Sequence, residues 1–190
     1  MKLNKKNVAW AIIPLLAITA FSVMFALSNT ANHEFTENLK TDVFYNSMVC
    51  IKVKRANGEV EDLGCEHNIL YDSGKELIED LLGNTGSGGP ANVIALCDAS
   101  LGCGEPVADA SETFNEITSC GLAPATGTYQ SVGTGNWTIS HTFTSTCDNV
   151  QTNVTRLRTG TGTNFAGRSF TLATLQKDDQ LQITWYIWVQ

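Results

Sequence analysis

Histidine is scarce in this chain, limited to His33, His67 and His141. Its six cysteines never fall as Cys-x-x-Cys and no His-x-x-x-His pair occurs, so the spacings that hold zinc from one loop or one helix face are missing. No serine sits in a Gly-x-Ser-x-Gly elbow, and the glycine-rich residues 84–90 lack the Lys-Ser/Thr of a phosphate loop. Spacing singles out no two of the 19 acids as a glycosidase pair. Asp98, Ser100, Glu105 and Asp109 lie close together but without the spacing of a calcium loop, and read as solvated acids. The sequence thus offers no catalytic residue, no metal ligand set and no cofactor site, and the expectation is a protein that is not an enzyme. Basic charge is short as well. Lys2, Lys5 and Lys6 precede a long apolar run while every acid follows it. Taking those three from the 12 lysines and arginines, against 19 acids, leaves the body near −10. Nucleic acid is excluded as a partner, because phosphate contacts need Lys and Arg.

What is present points outward from the cell. The basic start Met1-Lys2-Leu3-Asn4-Lys5-Lys6 leads into residues 8–27, which carry no charge. That is the n-region and h-region of a secretory signal, and Ala26-Leu27-Ser28 places small residues for a cut after residue 28. Left uncut, the run of about 20 residues is long enough to span a bilayer as an anchor, the chain's single membrane contact. A type IV pilin leader fits poorly, since Asn7 follows the basic stretch and Pro14 would disturb a long helix. In each case the body lies outside the cytoplasm. There Cys50, Cys65, Cys97, Cys103, Cys120 and Cys147 are expected to pair as three disulfides. Two sequons, Asn136-Trp137-Thr138 and Asn153-Val154-Thr155, are glycosylation candidates there. The expected organisation is a signal or anchor at 1–28, an extended segment at 29–46 and one β domain at 47–190.

Period-2 alternation dominates that domain. Trp137, Ile139, His141, Phe143, Ser145 and Cys147 alternate with Thr138, Ser140, Thr142, Thr144 and Thr146, as in a half-buried strand. Residues 125–132 form the returning strand across a turn at Gly133-Thr134-Gly135-Asn136. Facing residues of an antiparallel hairpin are equidistant from its centre. The midpoint of Cys120 and Cys147 falls between Gly133 and Thr134, and that of Cys50 and Cys65 between Asn57 and Gly58, both inside turn signals. The first two cysteines and the last two are therefore expected to bond across strands, with Lys54 opposite Glu61. Cys97 and Cys103 bracket a short loop after the buried run Val93-Ile94-Ala95-Leu96.

One helix is expected over 71–83, begun by a Ser73/Glu76 capping box, with Leu77, Ile78, Leu81 and Leu82 as its apolar stripe and Gly83 as its stop. Near the C-terminus, Phe170, Leu172 and Leu175 lead to a turn at Asp178-Asp179. Leu181, Ile183, Trp185, Ile187 and Val189 then alternate inward. Tyr186 and Trp188 lie on the opposite face, and such large aromatics imply that something covers them. In the extended segment, Val43-Phe44-Tyr45 is β-prone and reads either as part of a spacer or as a donor strand for a neighbour's sheet edge.

The order of motifs adds a resemblance. A hairpin leads into Asn68-Ile69-Leu70-Tyr71-Asp72-Ser73-Gly74-Lys75-Glu76, followed by Ile94-Ala95-Leu96 and Asn115-Glu116-Ile117. Then come Trp137-Thr138-Ile139-Ser140-His141-Thr142-Phe143-Thr144, Phe165-Ala166-Gly167-Arg168-Ser169-Phe170 and Leu175-Gln176-Lys177-Asp178-Asp179-Gln180-Leu181. Across roughly 49–189 this resembles β-sandwich structural proteins of tailed phages and archaeal viruses, and is similar to secreted archaeal filament subunits that polymerise by strand donation. The signal segment and the six cysteines depart from the virion pattern. The resulting expectation is all-β: a single antiparallel, jelly-roll-like β-sandwich with one short helix and three disulfides, preceded by an N-terminal hydrophobic helix. Its expected role is structural, as a self-associating filament or pilus-like subunit outside the cell. The alternatives are a membrane-anchored surface module that binds a glycan or envelope component through Tyr186 and Trp188, and a virus-derived tail or fibre protein.

Overall fold

A computed structural model of the chain describes residues 45–83 and 89–189. The export segment 1–28, residues 29–44 with Val43 and Phe44, and residues 84–88 of the glycine-rich loop lie outside the described residues. The described chain is mostly β. Its strands are β1 (Tyr45–Lys54), β2 (Val60–His67), β3 (Ile69–Leu70), β4 (Ala91–Asp98), β5 (Ala125–Thr126), β6 (Thr128–Gly133), β7 (Asn136–Thr144), β8 (Val150–Thr159), β9 (Asn164–Leu175) and β10 (Gln180–Val189). One helix, α1 (Asp72–Gly83), and a 3-10 turn at Ala99–Leu101 complete it. The strands form two five-stranded antiparallel sheets, ordered β2-β1-β10-β7-β6 and β3-β9-β8-β4-β5.

Alternation builds the core. In β10, Leu181, Ile183, Trp185 and Ile187 are buried, whereas Val189 is exposed at the strand's end. Register lines these up in rows across the first sheet: Val53, Leu181 and Phe143; Ile51, Ile183 and His141; Val49, Trp185 and Ile139. The His141 ring meets Phe143 edge-on at 4.6 Å, a packed histidine in an apolar row. From the second sheet Ile94, Leu96, Leu157, Ala166, Ala173 and Leu175 join the same buried cluster, with Ile117 and Leu122 from the loop before β5. At about 1.5–3 kcal/mol for each large apolar side chain buried, this one cluster is the main stabiliser of the fold.

The two sheets differ in what covers their far faces. On the second, Ala95, Arg156 and Gly167 share a row. Tyr71 lies on Gly167 so closely that a Cβ there would overlap its hydroxyl, and Gly74 of α1 abuts the Phe165 carbonyl just as tightly. Residues 107–116 close the rest. The Arg156 guanidinium stacks on Phe114 at 4.1 Å and pairs with Glu112 at 2.5 Å, while Arg158 pairs with Glu116 at 2.6 Å. Helix α1 packs on β9 with Leu77 in the shared core cluster, and its start differs from expectation. Ser73 donates to the Asn164 carbonyl of β9 at 2.6 Å, spending its hydroxyl on tertiary packing instead of a capping box. Leu77 is buried, but Leu81 is half exposed.

All six cysteines pair as expected: Cys50 with Cys65, Cys97 with Cys103 and Cys120 with Cys147. The registers around them do not all match. The Asn57-Gly58 hairpin closes with three loop residues, since Gly58 N donates to the Arg55 carbonyl at 2.9 Å and Arg55 N to the Glu59 carbonyl at 2.8 Å. Gly58 takes the left-handed conformation, φ +91°, that a type I turn with a following bulge requires. Lys54 consequently faces Val60, not Glu61. A second bulge, between the pairs Ile51–Gly64 and Lys52–Asp62, shifts the ladder back so that Cys50 and Cys65 still face each other. At the β6–β7 hairpin the turn at Thr134 and Gly135 is as expected, but Tyr129 faces Ile139, one residue off the anticipated register. Cys120 is not on a strand at all; it sits in a turn at φ +56°, and its carbonyl accepts from Thr146 N at 3.0 Å.

Candidate functional site

The far face of the first sheet, unlike that of the second, is open among the described residues. Cross-strand pairing puts Met48 beside Tyr186 and Tyr186 beside Thr138, with Trp188 between Asn46 and Asn136. Met48, Tyr186, Trp188 and Asn136, with Val132 of β6 and with Trp137 and Ile187 from the core-facing side, line a groove of about 320 Å³. Tyr186 is 40% exposed, and the His67 ring of β2 meets Trp188 edge-on at 6.2 Å. The turn carrying Asn136 is fixed against this end of the sheet: Val189 N donates to the Gly135 carbonyl at 2.9 Å, and Gly135 is left-handed at φ +71°. At the other end of the face Lys52, Lys54, Val60, Thr142, Gln180 and Gln182 line a polar recess of about 230 Å³. The exposed Cys50–Cys65 bridge lies on β1 and β2 between the two.

The sheet's two edges are built differently. Strand β2 carries Glu61, Asp62 and Glu66, a bulge and a disulfide, which are devices that discourage pairing with another chain. Strand β6 (Thr128-Tyr129-Gln130-Ser131-Val132-Gly133) has no charge, and every residue in it is exposed, Tyr129 by 63% and Val132 by 57%. Its single irregularity lies next to the turn, between Ser131 and Gly133. In the second sheet the edge strands β3 and β5 are two residues each. Among the described edges, β6 is the long uncharged one.

Two polar clusters escaped the sequence reading. In the first, Glu112 Oε1 accepts from Tyr71 Oη at 2.5 Å, from Arg156 Nε at 3.2 Å and from Arg156 Nη2 at 2.5 Å, with all three side chains buried. Burial alone would raise the Glu112 pKa, but the hydrogen bonds from Tyr71 and Arg156 and the guanidinium charge outweigh it and hold it below the usual range. In the second, buried Asp179 accepts from Arg55 Nη1 at 3.0 Å, Ala56 N at 2.9 Å and Gln176 N at 3.0 Å, tying the β1–β2 turn to the β9–β10 turn. Both clusters consume their own polar atoms and line neither the groove nor the recess, so they serve as fasteners. Residues far apart in sequence form them, and no local motif announces either.

Tyr45 does not hang free: it opens β1, pairs with Val189 of the same chain and packs edge-on against Phe165. Asp98 accepts from Ser100 N at 3.0 Å and Asp109 from Ser111 N at 3.1 Å, each in a local turn. Asn136 is exposed in the groove wall, whereas Asn153 is half-buried, with an enclosed Oδ1 that has no partner among the described residues. Comparison with protein-family models, with curated proteins and with solved structures finds no match for this chain.

Proposed function

We propose that this protein is an exported structural subunit, a jelly-roll-like sandwich of its two sheets, that assembles into filaments outside the cell by accepting an extended segment of a neighbouring copy along β6. The observation that carries the reading is the contrast between the two edges of the first sheet: one defended by acids, bulge and disulfide, the other uncharged and exposed along its whole length. The basic start, the charge-free run at 8–27 and three disulfides support export. The donor is the stretch 29–44, ending in Val43 and Phe44. Because Tyr45 is already paired in its own sheet, the donated residues are those before it. Sixteen extended residues reach about 50 Å, enough to leave one subunit and run along the edge of the next.

The test is negative-stain imaging of the exported full chain beside Gln130→Lys, which puts a charge on the β6 edge. Filaments are expected from the parent, and none from a variant that melts at the parent's temperature. A monodisperse parent, or filaments from both proteins, would defeat the reading.

A further inference from the structure

We infer that Asn136 carries an N-linked glycan whose first sugars lie in the groove over Tyr186 and Trp188, and that the second sequon, at Asn153, stays unmodified. The inference shares with the reading above only passage through an export compartment.

Three observations carry it. First, Asn136 is exposed at the start of β7, and its side chain forms part of the wall of the aromatic groove. The register places it directly beside Trp188, two residues from Thr138, which faces Tyr186. Second, the groove is mostly apolar, carries no charge among Met48, Val132, Trp137, Tyr186 and Trp188, and is covered by no described part of the chain. Large exposed aromatics on one face call for a cover. A sugar fixed at the rim meets that need, with its C–H face on the rings and its hydroxyls toward water. Third, Asn153 is the residue skipped by the register of both ladders of β8, a strand held between β4 and β9. A copy glycosylated at this half-buried side chain could not close β8 between β4 and β9, so the folded, exported copies are those left unmodified at Asn153.

The chemistry also fixes the timing. The Asn136 amide nitrogen attacks the anomeric carbon of a lipid-phosphate-linked oligosaccharide. An N–C bond forms, the C–O bond to phosphate breaks, the lipid phosphate leaves with the electron pair, and one amide proton passes to base. The transfer enzyme must reach the hydroxyl two residues on, yet Thr138 is only 6% exposed in the fold. Transfer therefore precedes the closing of β7 onto β10, and the glycan is in place when the aromatic face forms.

The experiment is glycopeptide mapping of the full chain recovered from the secretory pathway of yeast, behind a yeast leader. Amidase release should convert Asn136 to aspartate, leave Asn153 as asparagine and remove one glycan in mass. Release should also increase iodide quenching of tryptophan fluorescence at least twofold, and Asn136→Gln should reproduce the released protein's quenching. Thr138→Ala should leave Asn136 vacant, and Thr138→Ser, which keeps the sequon, should retain occupancy. Occupied Asn153, vacant Asn136, or quenching unchanged by release would each overturn the inference. Filament imaging is read separately, so glycan mapping and assembly fail independently.

Discussion

Replacing Glu112 with alanine should unfold this protein far more readily than its place in an irregular loop suggests. Among the described residues the carboxylate is the sole anion paired with the Arg156 guanidinium, whose side chain is 10% exposed and stacked on Phe114. Without it Arg156 stays enclosed as an uncompensated charge, and the Tyr71 hydroxyl loses its acceptor. Removing one partner of a buried pair costs about 3–5 kcal/mol. For a domain of this size each kcal/mol moves the melting temperature by about 2–4 °C, so a fall of about 10 °C is expected. Adding Arg156→Met should recover most of the loss, because replacing a whole buried pair with apolar groups is near neutral. Circular-dichroism melts of parent, single and double variants decide it. A single variant melting within a degree or two of the parent, or a double variant no better than the single, would show that the pair does not hold residues 107–116 on the second sheet.

Glu112 and Asp179 are both held below the usual carboxylate range, Asp179 by the Gln176 and Ala56 amides and Arg55 against the opposing effect of burial. A depressed carboxyl stabilises the fold above its unfolded pKa of about 4 and loses that contribution as pH falls through the folded value. Melting temperature should hold from pH 7 to about 5 and drop below about 4; a flat profile down to pH 2 would refute this. At the alkaline end, burial raises Tyr45 to about 12 and also pushes Tyr71 up. Their contribution is complete below about pH 10, the unfolded tyrosine value, and decays above it, readable by ultraviolet titration alongside melting. Gly167→Ala would drive a methyl group into the Tyr71 hydroxyl and to 2.7 Å from its Cζ. The expected loss is about 1–3 kcal/mol in urea unfolding. It should shrink in a Tyr71→Phe background, where the nearest clashing atom is gone; equal losses in the two backgrounds would refute the contact.

The strands with strict alternation were legible because burial on one face writes itself into every second residue, as in β10 from Leu181 to Ile187. Disulfide partners were legible for a less direct reason. An ideal hairpin sets facing residues about its midpoint, whereas at Cys50–Cys65 a three-residue loop and a bulge displace the register in opposite senses and cancel. At Cys120–Cys147 the strand assumption fails. Ile117 and Leu122 anchor that loop in the core, and left-handed Gly121 lets its backbone lie on the Thr144 carbonyl, which brings Cys120 to Cys147. What the sequence could not disclose is which acids and arginines meet across the fold. Glu112 and Arg156 are 44 residues apart and Arg55 and Asp179 are 124 apart, and neither pair has a periodic signature.

The unequal treatment of the two sheets bears directly on assembly. On the second sheet the chain uses Tyr71 and residues 107–116 to cover a face, and accepts the desolvation of an ion pair to do so. On the first it leaves aromatics and an uncharged edge in solvent while it arms the opposite edge with three acids. Arming both edges would serve a monomer, and arming neither would invite indiscriminate pairing. One armed and one bare edge select a single mode of contact. The proposed donor leaves the body at Tyr45, within β1, whereas the acceptor is β6, three strands away across β10 and β7. Donor and acceptor are thus different surfaces of the same chain. In the proposed assembly this contact between unlike surfaces is heterologous, and each subunit added would present a fresh β6, so growth would continue unless the rotation between neighbours closed a ring.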